Sequence, residues 1–338
     1  MIDTFYALIA VFGGLIGLIF SSNFFIDGCA SLSRLLGMST TMIGLTVVAF
    51  ATSAPEIIVS IESARDGVPG LAIGNAIGSN IANIGLVLGI TAIITNMKAN
   101  NKLLAINIIN PIYKSRLGQG IWLLLVTFIS AFLLSNQILS PLDSIILILL
   151  AFLISIIIIR DGKHDPEIIN NVEKNFNFPK LSVAKAVTYF LIGLALLIVS
   201  ANILINGAVS LARQFNVDEM IIGLTLIAIG TSLPELAACI SSVLKGYHGM
   251  ALGNIIGSNI LNLLTVMAVP GLFTSVIFHK TIITRDIPIL IFLTIGLIIF
   301  IHSISSNKQI KKGVNISRLF GLCFLSVYAF YYFLIFIN

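Results

Sequence analysis

Apolar runs near twenty residues long recur along the whole chain, set apart by short polar stretches. Ten are read, over residues 6–25, 40–63, 70–94, 118–134, 139–159, 184–206, 220–244, 249–273, 287–305 and 317–337. An α-helix rises about 1.5 Å per residue, so about twenty apolar residues cross the ~30 Å hydrocarbon core of a bilayer. Each run therefore predicts a transmembrane helix. The short, alternating segments of a membrane β-barrel are not seen. One long polar stretch, 160–182, interrupts the series. Its Asp161, Asp165, Glu167 and Glu173 lack EF-hand spacing, so it predicts a solvated linker rather than a calcium loop. The expected architecture is an all-α membrane protein, with five spans in residues 1–160, the linker at 161–183 and five more spans in 184–338.

Composition removes the competing classes. Of 338 residues, 57% are hydrophobic and 10% charged, against about 25% charged in a soluble domain. A soluble enzyme, a secreted disulfide domain and a disordered chain are excluded. The net charge of +5 reads as membrane topology rather than nucleic-acid binding, because the basic residues sit between apolar runs. Fifteen of the 19 Lys and Arg fall in one set of loops; only Arg65, Arg213, Lys280 and Arg285 fall in the other. Cytoplasmic loops carry the excess. The linker is thus expected in the cytoplasm of a cell-membrane protein, with both termini outside. No basic residue precedes the first run, so that run is expected to be a retained span rather than a cleaved signal. Cys29, Cys239 and Cys323 are too far apart for a metal or redox motif and read as small buried residues.

The two halves repeat at an offset of 179 residues. Residues 44–83 and 223–262 align without gaps, with 21 of 40 positions identical, and the shared positions include Thr, Ser, Pro, Glu, Gly and Asn. Five spans per half is an odd number, so the second half crosses the membrane in the opposite sense. This predicts an inverted-topology repeat, with broken helices and a site near the bilayer midplane.

Glu56 and Glu235 lie at equivalent places deep in apolar runs, where a carboxylate costs about 2.5–3.5 kcal/mol on insertion scales. No Lys or Arg occurs within residues 44–62 or 223–243. The pair is therefore protonated, bound to cations, or hydrogen-bonded across helices. Pro55 and Pro234 precede the two glutamates and withdraw the N–H partners of the Ala51 and Gly230 carbonyls, which predicts a break in each helix. Thr52 and Ser53 stand four and three residues before Glu56, and Thr231 and Ser232 stand likewise before Glu235, so each trio can face one point. Gly70, Gly74 and Gly78, mirrored by Gly249, Gly253 and Gly257, put small residues on one helix face for close packing. Ser79 and Asn83, mirrored by Ser258 and Asn262, can complete an oxygen cage. Asn75, Asn80, Asn254 and Asn259 are assigned structural hydrogen bonds instead. An all-oxygen set without convergent His or Cys selects Na⁺, Ca²⁺ or Mg²⁺ over softer metals, and its flexible mixture suits Ca²⁺.

Thr52-Ser53-Ala54-Pro55-Glu56, followed by Gly74-Asn75-Ala76-Ile77-Gly78-Ser79-Asn80, and their counterparts around Glu235 and Ser258 resemble the two signature repeats of the sodium/calcium exchangers, in the cation/calcium exchanger superfamily. The resemblance covers the whole ten-span layout. It implies antiport of Na⁺ against Ca²⁺ by alternating access, with three Na⁺ competing for a site shared with one Ca²⁺. It implies ligands at Thr52, Ser53, Glu56, Ser79 and Asn83, and at Thr231, Ser232, Glu235, Ser258 and Asn262, with the carbonyls of Ala49 and Ala228 as further candidates. It also implies that the first and sixth spans slide as a gate. The expected partners are Na⁺, Ca²⁺ and the lipid bilayer, with no cofactor and no obligatory protein partner. Asn262 departs from potassium-dependent relatives, which carry an acid there, and so speaks against K⁺ coupling. The linker is too short for the calcium-sensing domains of animal members. The proton-coupled branch reads Gly-Asn-Ala-Thr-Glu before its glutamate, so Thr-Ser-Ala-Pro-Glu favours sodium over protons. A Ca²⁺/H⁺ antiporter is the nearest rival and a passive channel a more distant one. No HExxH, GxSxG, P-loop or Ser/Cys–His pair is found within the spans, so no enzymatic activity is expected.

Overall fold

The computed structural model describes residues 2–98, 110–162, 179–215, 217, 228–306 and 310–337. Helices stand where the apolar runs predict them. In chain order they are α1 (Ile2–Leu35), α2 (Thr40–Ile43), α3 (Ala49–Thr52), α4 (Ala54–Arg65), α5 (Gly70–Ala82), α6 (Gly89–Lys98), α7 (Asn110–Leu133) and α8 (Pro141–Gly162). The second half gives α9 (Val183–Gln214), α10 (Ala228–Thr231), α11 (Leu233–Leu244), α12 (His248–Leu261), α13 (Ala268–Gly271), α14 (Ile287–Ser306) and α15 (Ile310–Ile337). Among the described residues, seven helices are long and apolar enough to cross a membrane, and the bent segment Thr40–Thr52 with Ala54–Arg65 makes an eighth. Leu117–Leu133 and Leu233–Leu244 are shorter apolar helices. Most of the linker, at 163–178, and the start of the seventh run, at 218–227, lie outside the described residues.

The structure adds features that the apolar pattern does not contain. Two-residue strands, Ile138–Leu139 and Val276–Ile277, pair antiparallel and tie a loop of each half together. Among the described residues, four π-helical turns occur, at Gly44–Val48, Asn83–Leu88, Asn262–Val266 and Ile282–Asp286. His248, read in the sequence as a loop-edge residue, is buried as the first residue of α12.

The main core is built on α5 and α12, through Ile73, Ile77, Ile81, Ile255, Ile256 and Ile260. Tight helix contact explains the spaced glycines. A Cβ at Gly253 would stand 2.5 Å from the Thr41 carbonyl oxygen, and one at Gly257 2.8 Å from the Ala49 Cβ. Only glycine lets α12 approach the backbone of α2 and α3 this closely.

α1 and α9 pack on each other outside this core and join the rest through two smaller apolar clusters. Their contact repeats at the sequence offset. Gly14 meets Leu204 as Gly193 meets Phe25, and Gly28 meets Ala186 and Phe190 as Gly207 meets Ala7 and Val11. Rising positions in α1 meet falling positions in α9, so the two related helices run antiparallel. Phe5, Phe12, Phe20, Phe132, Phe152 and Phe330 are all exposed. Such a surface suits lipid rather than water.

Candidate cation-binding site

The two helix breaks shape the site. Ser53 (φ −82°, ψ 6°) ends α3 and caps α4, and Ser232 (φ −89°, ψ 3°) stands likewise between α10 and α11. Each proline sits in the first turn of the following helix, where its missing N–H costs nothing. The break bends the first segment by 40°. It also places Glu56 and Glu235 in the first turns of α4 and α11. The positive end of a helix dipole favours negative charge there.

Thr52, Ser53, Glu56, Ser79, Asn83, Ser232, Glu235, Ser258 and Asn262 are all buried, none more than 2% exposed. Glu56 lies close enough to Glu235 and Ser79 to interact electrostatically, and Glu235 close enough to Thr52 and Ser53. Ser53 Oγ donates to Glu235 Oε1 at 3.2 Å, across the two halves. Thr52 Oγ1 donates to Asn254 Oδ1 at 3.2 Å. Most of the remaining oxygens have no hydrogen-bond partner: both carboxylate oxygens of Glu56, Oε2 of Glu235, the hydroxyls of Ser79, Ser232 and Ser258, and the amide atoms of Asn83 and Asn262. Asn83 and Asn262 each begin a π-helical turn, a deviation frequent at functional sites.

The other candidates fall differently. Thr231 is partly exposed at the edge of a cavity. The Ala49 carbonyl accepts the Ser53 N–H at 3.0 Å, and Ala228 is the first residue of α10. Of the four structural asparagines, Asn80 donates to the Asn259 carbonyl, Asn259 to the Ile255 carbonyl and Asn254 to Cys239 Sγ. Asn75 Nδ2 is buried without a partner. Sequence reading missed the bond from Thr52 to Asn254. It also missed Cys239 as a neighbour of the site and Ser60 Oγ, which donates to the Val266 carbonyl at 2.6 Å. The pairing of Asn75 with Asn254 at the repeat offset was the available signal.

A buried polar group without a partner costs about 1–3 kcal/mol, more when charged. Here unpartnered oxygens cluster around two carboxylates, and the described ion pairs, Lys245–Asp27 and Arg285–Asp286, leave both glutamates without a basic partner. Among the described residues no three His, Cys, Asp or Glu come together. Carboxylate, hydroxyl and amide oxygens suit a hard cation. A cavity of about 520 Å³ runs between α4 and α9, from Glu62 and Arg213 to Pro55, Thr231 and Pro234. It gives solvent a way toward the breaks.

These features define a class: a helical membrane protein with a candidate cation site between two helix breaks related by the internal repeat. The comparisons narrow it. The family described as sodium/calcium exchanger protein matches residues 6–160 and 185–337, and the chain belongs to that family of antiporters. CaxA of Alkalimonas amylolytica is 35% identical over 98% of both chains. The sodium/calcium exchanger MaX1 of Methanosarcina acetivorans is 27% identical over 93% of this chain and 96% of its own. The solved structure of the sodium-calcium exchanger NCX_Mj superposes with a TM-score of 0.75 at 29% identity, covering 96% of each chain. This is a family of transporters rather than enzymes.

Proposed function

We propose that this chain exchanges Na⁺ for Ca²⁺ by alternating access and moves net charge in each cycle. Ten spans, in two inverted five-helix repeats at 1–160 and 184–338, carry one site between them, with the linker cytoplasmic and both termini outside. The antiparallel, offset-repeated contacts of α1 and α9 support the inversion.

The reading is carried by one observation: two unpaired buried carboxylates surrounded by unpartnered oxygens at mirrored positions. Glu56 and Glu235 neutralise Ca²⁺. Ser53, Ser79, Ser232, Ser258, Asn83 and Asn262 supply oxygens, with Thr52 and Thr231 beside them and the Ala49 and Ala228 carbonyls at the edge. Ca²⁺ takes six to eight oxygens in flexible geometry, which this set can meet. Several Na⁺ can divide the same oxygens, so the two cargoes compete. No resident cofactor and no obligatory protein partner enters the cycle, and Mg²⁺ is disfavoured by its demand for a strict octahedron.

The deciding experiment follows calcium uptake into proteoliposomes under an outward Na⁺ gradient or an imposed pH gradient. Uptake driven by Na⁺ and indifferent to pH supports the reading. Uptake driven by the pH gradient alone replaces it with Ca²⁺/H⁺ antiport, for which facing carboxylates are also suited. Uptake that dissipates with no opposing ion gradient indicates a channel.

A further inference from the structure

On the face that carries Lys245, α1 is fastened to α11. Lys245 Nζ lies 2.6 Å from Asp27 Oδ1 and donates to the Asn23 carbonyl oxygen at 3.1 Å. One turn earlier, Ser241 Oγ donates to Asn23 Oδ1 at 3.2 Å. The offset of 179 carries Asn23 to Asn202, Asp27 to Asn206, Ser241 to Glu62 and Lys245 to Asp66. Asn202, Asn206 and Glu62 line the 520 Å³ cavity. Lys245 and Asp66 both cap the C-terminal ends of their helices. Where α1 touches α11, the related pair α9 and α4 therefore stands apart around open space.

The geometry is related by the repeat, but the chemistry is not. One face holds an acid and a base. At the places equivalent to Asp27 and Lys245 the other holds an amide, Asn206, and an acid, Asp66, which cannot form an ion pair, while Glu62 of α4 and Arg213 of α9 line the cavity between them. Two identical halves would make the two access states equal in energy, so any bias must come from positions where the halves differ.

We infer that Asp27 and Lys245 are positioning residues that form a one-sided latch. The latch holds α1 on α11, closes the route to Glu56 and Glu235 from that face, and favours the state open at the Glu62–Asn206 cavity. This rests on the exchange reading above, because a latch has meaning only where two access states alternate. The two side chains are 23% and 29% exposed, so the pair is worth little more than a surface ion pair, a bias of roughly fivefold between the states.

Ile58 lines the cavity, and Ala237 is its counterpart on α11. Ile58→Cys and Ala237→Cys are placed separately in a chain whose Cys29, Cys239 and Cys323 are replaced by Ala. Each is reacted in proteoliposomes, without Na⁺ or Ca²⁺, with a membrane-impermeant thiol reagent added to one side at a time. Ile58→Cys should react fast and Ala237→Cys slowly. Asp27→Asn or Lys245→Gln should speed labelling of Ala237→Cys about fivefold and slow that of Ile58→Cys. The exchanged pair, Asp27→Lys with Lys245→Asp, should restore the parental ratio. An unchanged ratio in both single variants overturns the latch. So do two cysteines that gain reactivity together, because release of a latch moves them in opposite directions. Sodium-driven calcium flux is recorded in parallel. Its absence from the parent overturns the exchange reading, while the labelling ratio still decides the latch.

Discussion

Glu56 has both carboxylate oxygens buried and unpartnered, so replacing it by Gln should have two opposite effects. Without cations, the parent must either keep an uncompensated buried charge or bind a proton to remove it, and both cost free energy. Glu56→Gln keeps the shape, removes the charge and leaves at most a neutral unsatisfied amide, which is less costly by about 1–3 kcal/mol. Cation-free variant protein in detergent should therefore melt a few degrees higher than the parent, at roughly 2–4 °C per kcal/mol for chains of 150–250 residues and less for a longer one. With cations, the order reverses. Breaking a buried charge pair from one side costs about 3–5 kcal/mol, which lowers Ca²⁺ affinity by two to four decades at about 1.4 kcal/mol per decade. At a hundred times the parental Kd, Ca²⁺ stabilises the parent by about 2.7 kcal/mol and should leave the variant almost unchanged. Thermal melts with and without Ca²⁺, read beside sodium-driven calcium uptake, test both effects. A variant that melts lower without cations, keeps the calcium-induced shift and still transports would refute the cage assigned to Glu56.

Three further outcomes are expected. Exchange of three Na⁺ for one Ca²⁺ moves one net charge, worth about 2.3 kcal/mol per 100 mV; calcium uptake in potassium-clamped vesicles should change with the imposed potential, and a flat response indicates an electroneutral ratio. Exchange should run equally well with K⁺ or choline, and Asn262→Asp, which adds a third acid to the cage, should make uptake fall more steeply than the parent between pH 8 and pH 6 as protons compete with Ca²⁺; coincident pH profiles would place residue 262 away from the cations. Gly253→Ala should destabilise by about 1–3 kcal/mol, since its Cβ would press on the Thr41 carbonyl, whereas Gly13→Ala, with nothing within 4 Å, should be neutral or slightly stabilising in the same thermal melt.

The sequence exposes what depends on charge and on repetition. Glu56 and Glu235 stand out because an acid in an apolar run has few explanations, and the offset then finds Ser79, Asn83 and their counterparts. Pro55 and Pro234 locate the breaks because the loss of an N–H is local. Three kinds of feature escape. The apolar run 6–25 stops at the first polar residues, yet α1 continues to Leu35 because Asp27 finds Lys245 and Arg34 Nη2 finds the Leu181 carbonyl. Those partners are far away in sequence. The π-helical turns at Asn83 and Asn262 have no compositional signature, since one extra residue per turn is set by packing. The bond from Thr52 to Asn254 joins opposite halves, and helical spacing within one run cannot reveal it.

The unpartnered oxygens also bear on leakage. An exchanger that reverses its access with nothing aboard wastes the gradient that drives it. Closing this cage empty seals two carboxylates, three hydroxyls and two amides away from water with no cation among them. That arrangement is several kcal/mol worse than the same cage filled. On the exchange reading proposed above, reorientation without cargo is then the slow path. On that reading these oxygens couple reorientation to cargo, because a crossing with an ion aboard satisfies them and a crossing without one does not.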